Sequence, residues 1–318
     1  MYRKKKIALV IPAYKEEKLI KPTLDAVPKL IDKIYVVDDK SPDNQNEVIE
    51  KCAKKDTRII LLRHEKNQGC GGAIITGYLQ SSKDNNDVTV VVGGDNQMPL
   101  NEVTNFLDPI IDGTVDYTKG NRFMLGQYEK TIKKMPKIRF FANWILTILT
   151  KIASGFYKLY DIVDGYTAIS KRAIDTINWD KVWRGYGYPI DYLVKLNAYG
   201  FKVKDIPRTA IYLEGERQSQ IKGFSYAMRV SPMIIRNFFW RLKFKYMYLD
   251  FHPLVLFYIF ALFCIPIGFA LGIFLIIDKF FLGDTFVTPS MSVLVALLLI
   301  SGFQFLLFAM FFDSQEGR

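Results

Sequence analysis

The stretch Val88-Thr89-Val90-Val91-Val92-Gly93-Gly94-Asp95-Asn96-Gln97-Met98-Pro99 decides the fold. Four of its first five residues are valine, and the run stops at two glycines and an acid. A short β-branched run bounded by turn residues predicts a strand buried on both faces. Ile7 to Ile11, Ile34 to Val37 and Arg58 to Leu62 repeat that pattern on the amino-terminal side. Between them, Glu16 to Val27, Asn46 to Ala53 and Gly72 to Gln80 carry helical spacing. Short apolar strands alternating with helices predict an α/β fold, a mostly parallel sheet flanked by helices. Ligands of such sheets bind beyond the carboxyl ends of the strands. The residues there are Tyr14 and Glu16, Asp38 and Asp39, His64 to Asn67, and Gly93 to Gln97.

The next part is less regular. Val115 to Arg122 reads as a strand leading into a loop, and Gly165 to Ser170 and Lys202 to Ile206 as further strands. Tyr188 to Tyr199 reads as a helix. Ile138 to Tyr160 is amphipathic and interrupted by Lys151, which predicts a core-packed or interfacial helix and not a spanning one. No internal repeat or low-complexity linker divides residues 1–221, which are expected to form one domain.

The carboxyl-terminal part differs in kind. Leu254 to Ile277 and Met291 to Phe312 contain no charged residue, and roughly 20 apolar residues at helical rise cross a bilayer core. Residues 253–318 are therefore expected to form a membrane domain with two transmembrane helices. Ahead of them, residues 222–252 interleave six cations with aromatic residues against a single acid, Asp250. Such a juxtamembrane stretch suits an anionic membrane surface. It also accounts for part of the net charge of +11 without a nucleic-acid partner. The loop from Asp278 to Ser290 carries only Lys279 against two acids, so the positive-inside rule places the large domain and both termini in the cytoplasm. Cys52, Cys70 and Cys264 show no metal or redox spacing, and His64 and His252 lack a partner pattern. That argues against histidine-based catalysis or a histidine metal site.

Six segments stand in register at the predicted strand ends. They are Pro12-Ala13-Tyr14-Lys15-Glu16, Val37-Asp38-Asp39-Lys40-Ser41-Pro42-Asp43, Asn67-Gln68-Gly69-Cys70-Gly71-Gly72-Ala73, Gly93-Gly94-Asp95-Asn96-Gln97, Gly120-Asn121-Arg122-Phe123 and Asp161-Ile162-Val163-Asp164-Gly165-Tyr166. Each has a plain local reading as well. Pro12 stops a strand, Ser41 caps a helix, Asp95 and Asn96 make a turn before Pro99, and the glycines opening a helix allow close packing or an anion at the helix start. The glycine spacing is not that of a dinucleotide fingerprint. Together, from Ile7 to about Lys222, these segments resemble family 2 glycosyltransferases of the GT-A fold. With the two-helix tail, the chain resembles the polyprenyl-phosphate branch of that family, similar to dolichyl-phosphate mannose synthase.

The resemblance implies that Pro12, Tyr14, Glu16, Asp39, Asn67 and Gly71 bind a nucleotide sugar, UDP- or GDP-linked. It implies a divalent cation, Mg²⁺ or Mn²⁺, at Asp95 and Gln97. The family pattern is Asp-x-Asp-x-Gln, so Gly93 stands where the first aspartate belongs, and Lys15 where the family has asparagine. Arg122, Arg217, Ser219 and Lys222 are implied at the acceptor phosphate, with Asp95, Arg122 and Arg217 catalytic. The implied reaction is inverting sugar transfer to polyprenyl phosphate, in a membrane protein of this kind that assembles through its tail. A phosphate acceptor needs no strong base, so Asp191, where relatives that use hydroxyl acceptors carry one, is free to be structural. Rival readings are a tethered nucleotide-sugar binder with impaired catalysis and a transferase with a glycan acceptor. A processive synthase is disfavoured by the short tail and the lack of Gln-x-x-Arg-Trp.

Overall fold

The computed structural model describes residues 1–124, 137–209, 211, 223–249, 251–282 and 287–316. Strands β1 (Ile7–Ala13), β2 (Lys33–Asp38), β3 (Ile59–Arg63), β4 (Val88–Val91), β5 (Tyr117–Asn121), β6 (Thr167–Ser170) and β7 (Val203–Pro207) build one sheet. Its order is β3-β2-β1-β4-β6-β5-β7. Around it lie helices α1 (Ile20–Asp25), α2 (Gln45–Ala53), α3 (Cys70–Lys83), α4 (Val103–Ile111), α5 (Lys137–Ser154), α6 (Lys171–Thr176), α7 (Tyr188–Ala198) and α8 (Gly223–Lys243).

Strands β1, β2, β3 and β4 pair in parallel, with Ala13 opposite Asp38 and Val10 opposite Val91. The chain builds β1 to β3 outward on one side and then crosses to β4 on the other. The order therefore reverses between β1 and β4, the position where open α/β sheets bind ligands. The sheet is mostly parallel, as expected. The exception is β6, antiparallel to both β4 and β5. Ahead of it, the backbone N–H of Arg122, just past β5, donates to Asp161 Oδ2 at 3.1 Å. The chain thus re-enters the sheet at its carboxyl edge and must run back down. Arg122, Asp161 and Asp164 gather at that edge as a result.

Apolar residues on both faces of β1, β2 and β4 are fully buried, as continuous hydrophobic strands require. Gly77 lets α3 lie directly on β1, because a Cβ there would overlap the Val10 side chain. Phe106 of α4 stacks on Tyr166 with ring centroids 4.0 Å apart, tying α4 to the start of β6. One helix is shorter than its periodicity predicts: α1 covers Ile20–Asp25 instead of Glu16 to Val27. The backbone N–H groups of Glu16 and Glu17 donate to Gln45 Oε1 and Asp43 Oδ2, and Lys15 adopts a φ of 63°. The segment is held as a loop by its neighbour across the sheet edge.

The chain divides into two compact units, Met1–Ser154 with Lys158–Phe238, and Gly155–Tyr157 with Phe239–Arg318. The second unit contains α9 (Leu254–Ile277) and α10 (Pro289–Glu316), each within a helix long and apolar enough to cross a membrane. Small residues set their approach. A Cβ on Gly302 would lie 2.7 Å from Ile265, and one on Gly268 2.8 Å from Leu299. Their outer faces leave large apolar side chains open, Leu307 at 67% and Ile300 at 64% exposure, which suits lipid as the surrounding medium. Before α9, Arg241 is fully buried and forms a two-pronged pair with Asp313 of α10, both contacts at 2.7 Å. The Tyr246 hydroxyl adds a third bond to Asp313 Oδ1 at 2.8 Å.

Candidate active site

At the end of β2, the two adjacent acids do different things. Asp38 is a brace: Oδ1 accepts from the Ser41 N–H at 3.0 Å and Gln45 Nε2 at 2.6 Å, and Oδ2 from Asn46 Nδ2 at 3.0 Å. The next residue, Asp39, reaches across to the glycine-rich loop. Its Oδ1 accepts from the Gln68 N–H at 2.7 Å and its Oδ2 from the Gly69 N–H at 2.8 Å, while Asn67 Nδ2 donates to its carbonyl at 3.0 Å. Ser41 does not cap α2, contrary to its sequence reading. That helix starts at Gln45, and the Ser41 hydroxyl accepts from the Lys15 N–H at 2.8 Å and donates to Asp43 Oδ1 at 2.5 Å. The hydroxyl fastens the Tyr14–Glu16 loop to the β2 end.

Of the two roles read for the loop glycines, close packing and an anion at the start of α3, the structure describes the first. The Gly72 N–H donates to Arg184 O at 3.1 Å. A Cβ on Gly71 would sit 2.7 Å from Tyr188 Cβ and 2.9 Å from the Trp183 and Arg184 carbonyls, and Gly69 has a φ of 83°. These residues lack side chains so that the segment 183–185 can lie on the helix start.

At the end of β4, Thr23 Oγ1 donates to Gly94 O at 3.1 Å, and a Cβ on Gly94 would meet Glu16 Cγ at 3.3 Å. The β1 and β4 ends are thus one surface. The Gln97 N–H donates to Asp95 Oδ1 at 3.2 Å. Burial pushes the Asp95 carboxyl above the usual carboxylate range, against the pull of backbone donors and Arg208. Burial likewise pushes the Cys70 thiol up to about 12, with Asp39 and then Asp95 adding to the rise. Among the described residues no group of three or more His, Cys, Asp or Glu could hold a metal. One carboxylate with Gln97 does not make a closed cage. It does fit a hard cation that takes its other ligands from a diphosphate and water.

Beyond β5 lies an ion cluster. Arg122 grips Asp161 through Nε at 2.6 Å and Nη2 at 2.7 Å, with Asp164 Oδ2 at 3.2 Å. Arg208 donates from Nε to the same Asp164 oxygen at 2.8 Å and from Nη1 to Gln97 O at 3.4 Å. Gly120 has no side chain because a Cβ would press on Asp164 Oδ1 at 2.6 Å. Burial disfavours the charge on Asp161, yet Arg122 holds that carboxyl below the usual range; in Asp164 burial prevails and the carboxyl lies above it. A phosphate reaching Arg122 would have to share it with two aspartates. Arg217, Ser219 and Lys222 lie outside the described residues.

The model of the family described as Glycosyl transferase family 2 matches residues 8–177, more than half of the chain. The chain belongs to glycosyl transferase family 2. This glycosyltransferase is 28% identical over 251 residues to the UDP-N-acetylglucosamine--dolichyl-phosphate N-acetylglucosaminyltransferase of Methanococcus voltae, covering 75% of this chain and 95% of that one. It is 27% identical over 214 residues to the undecaprenyl-phosphate mannosyltransferase of Micrococcus luteus, covering 66% and 85%. Glucosyl-3-phosphoglycerate synthase of M. tuberculosis shares its fold, with a TM-score of 0.52 at 17% identity over 75% of this chain and 81% of that one.

Arg208 escaped the sequence reading, and His64, placed there at a strand end, was given no role. His64 has partners after all, Asp39 Oδ1 at 2.8 Å from Nδ1 and Thr76 Oγ1 at 2.9 Å from Nε2. Arg208 joins the β4 end to the Asp164 cluster. The only forewarning was position, since each stands just past a strand.

Proposed function

We propose that this transferase moves a sugar from a nucleotide diphosphate donor to the phosphate of a polyprenyl lipid, with inversion at the anomeric carbon. One observation carries the reading: the ends of β1, β2 and β4 meet where the strand order reverses, with the Asp39 N–H on Ala13 O at 3.1 Å and Gly94 packed against Glu16. The relatives that act on dolichyl and undecaprenyl phosphate support the acceptor. Two span-capable helices support a membrane protein, whose large domain and termini face the cytoplasm by the charge asymmetry of its sequence.

In this reading Pro12, Tyr14, Glu16, Asp39, Asn67 and Gly71 take the nucleotide, and Asp95 with Gln97 holds a divalent cation. When bound, that cation neutralises charge on the departing diphosphate. Arg122, Arg217, Ser219 and Lys222 orient the acceptor. A phosphate monoester is mostly dianionic near neutral pH, its second ionisation lying near about 6. One of its oxygens attacks the anomeric carbon as the bond to the donor diphosphate breaks, and no side chain needs to remove a proton. The nucleoside diphosphate leaves with its bonding electron pair.

Asp95→Ala tests the metal arm. Sugar transfer to polyprenyl phosphate with Mg²⁺ or Mn²⁺ is expected to fall about 100-fold or more, with UDP and GDP binding in the absence of metal retained. Unchanged turnover would contradict the assignment. The single carboxylate at 93–97 favours one second reading, a nucleotide-sugar binder, which nucleotide binding without any wild-type turnover would establish.

A further inference from the structure

His64 lies at the carboxyl end of β3, where its N–H donates to Asp38 O at 2.9 Å and so continues the β2–β3 ladder. Its ring is buried and has a defined partner on each nitrogen. A carboxylate only accepts hydrogen bonds, so the proton on Nδ1 faces Asp39 Oδ1. Nε2 then accepts from the Thr76 hydroxyl of α3 at 2.9 Å, a proton for which Gly72 O at 3.2 Å is the other acceptor. The imidazole therefore links Asp39, just past β2, to the helix that follows the glycine-rich loop.

The bonds on Asp39 can be counted. Oδ1 is filled by His64 and by the Gln68 N–H, and Oδ2 accepts from the Gly69 N–H. A carboxylate has about four acceptor directions, so one remains, on Oδ2. The two backbone donors belong to a loop that Asp39 itself helps to hold, and alone they would let loop and carboxylate shift together. His64 ties the carboxylate instead to the end of β3 and, through Thr76, to α3. We propose that His64 is a positioning residue for the donor, fixing Asp39 so that its free Oδ2 direction meets a ring N–H of the nucleobase. This rests on the reading of Asp39 as a nucleotide ligand. It also deepens that reading: uracil and guanine present a ring N–H to a carboxylate, whereas cytosine presents a ring acceptor, so UDP and GDP are admitted and CDP is refused.

Two substitutions separate positioning from mere packing. In His64→Asn the amide nitrogen stands where Nδ1 was and keeps the bond to Asp39. In His64→Gln the amide reaches the Nε2 position and keeps only the bond to Thr76. UDP, GDP and CDP are titrated calorimetrically into the full-length protein in detergent, with Asp39→Asn alongside. The better of UDP and GDP is expected to weaken about tenfold for His64→Gln and to stay within about threefold of wild type for His64→Asn. The margin over CDP should narrow only in the former. Equal losses in the two variants, or wild-type affinity in His64→Gln, would overturn the role of His64. If Asp39→Asn weakens binding while His64→Gln does not, only the His64 inference falls. If Asp39→Asn binds as wild type, or wild type binds neither UDP nor GDP, the nucleotide reading falls and this inference with it.

Discussion

Asp191 is a carboxylate held among structural partners inside the fold. It is fully buried, with Oδ2 accepting from the Trp183 N–H at 2.5 Å and Oδ1 from Asn237 Nδ2 at 2.7 Å. Burial raises its pKa above the usual carboxylate value. The folded state therefore binds that proton more tightly than the unfolded chain. The group's contribution to stability is fully present below the ordinary carboxylate range and is lost as pH rises through the raised native value. Asp191→Ala, which strands the Trp183 N–H, should cost about 1–3 kcal/mol in a denaturant titration. Asp191→Asn keeps an oxygen for Trp183 and removes that pH dependence. Its transfer rate should stay within roughly threefold of wild type, where loss of a general base would cost about 100-fold or more. Such a loss at unchanged stability would make Asp191 the base after all. Among single residues, those legible in the sequence stood beside the strand stops that exposed them, as Asp39 and Asp95 do. His64 and Arg208 were not, because their partners Asp39 and Asp164 are 25 and 44 residues away and are brought near by strand pairing.

At the scale of elements, the Arg241–Asp313 pair fastens the carboxyl end of α8 to the end of α10 inside the second unit. Both side chains are fully buried, so removing one partner leaves an uncompensated charge. Arg241→Ala should destabilise that unit by about 3–5 kcal/mol. Adding Asp313→Ala to it should return part of the loss in a double-mutant cycle read by thermal unfolding in detergent. Strictly additive losses would show that the two residues act independently. Helix and strand positions followed from periodicity wherever the chain alternated regularly, and β1 to β4 with α2 and α3 fall close to their expected ranges. Periodicity carries no strand direction, so the antiparallel β6 was invisible. It also could not see that α1 would be shortened by loop hydrogen bonds to Asp43 and Gln45.

For the whole molecule, the sequence alone separated a sheet-based catalytic part from an apolar tail, because charge disappears so abruptly after Pro253. The order of motifs along the chain carried the family, while their meeting at the edge of β1, β2 and β4 needed the fold. In the proposed function, what unites the two parts is an acceptor that lives in the bilayer. Membranes containing the full-length protein, supplied with polyprenyl phosphate and labelled nucleotide sugars, test that claim most directly. The account predicts label in the organic phase as a sugar joined to the lipid through one phosphate, released by mild acid, and dependent on Asp95. Label that stays in water-soluble glycan or on protein, with UDP or GDP binding intact, would contradict it.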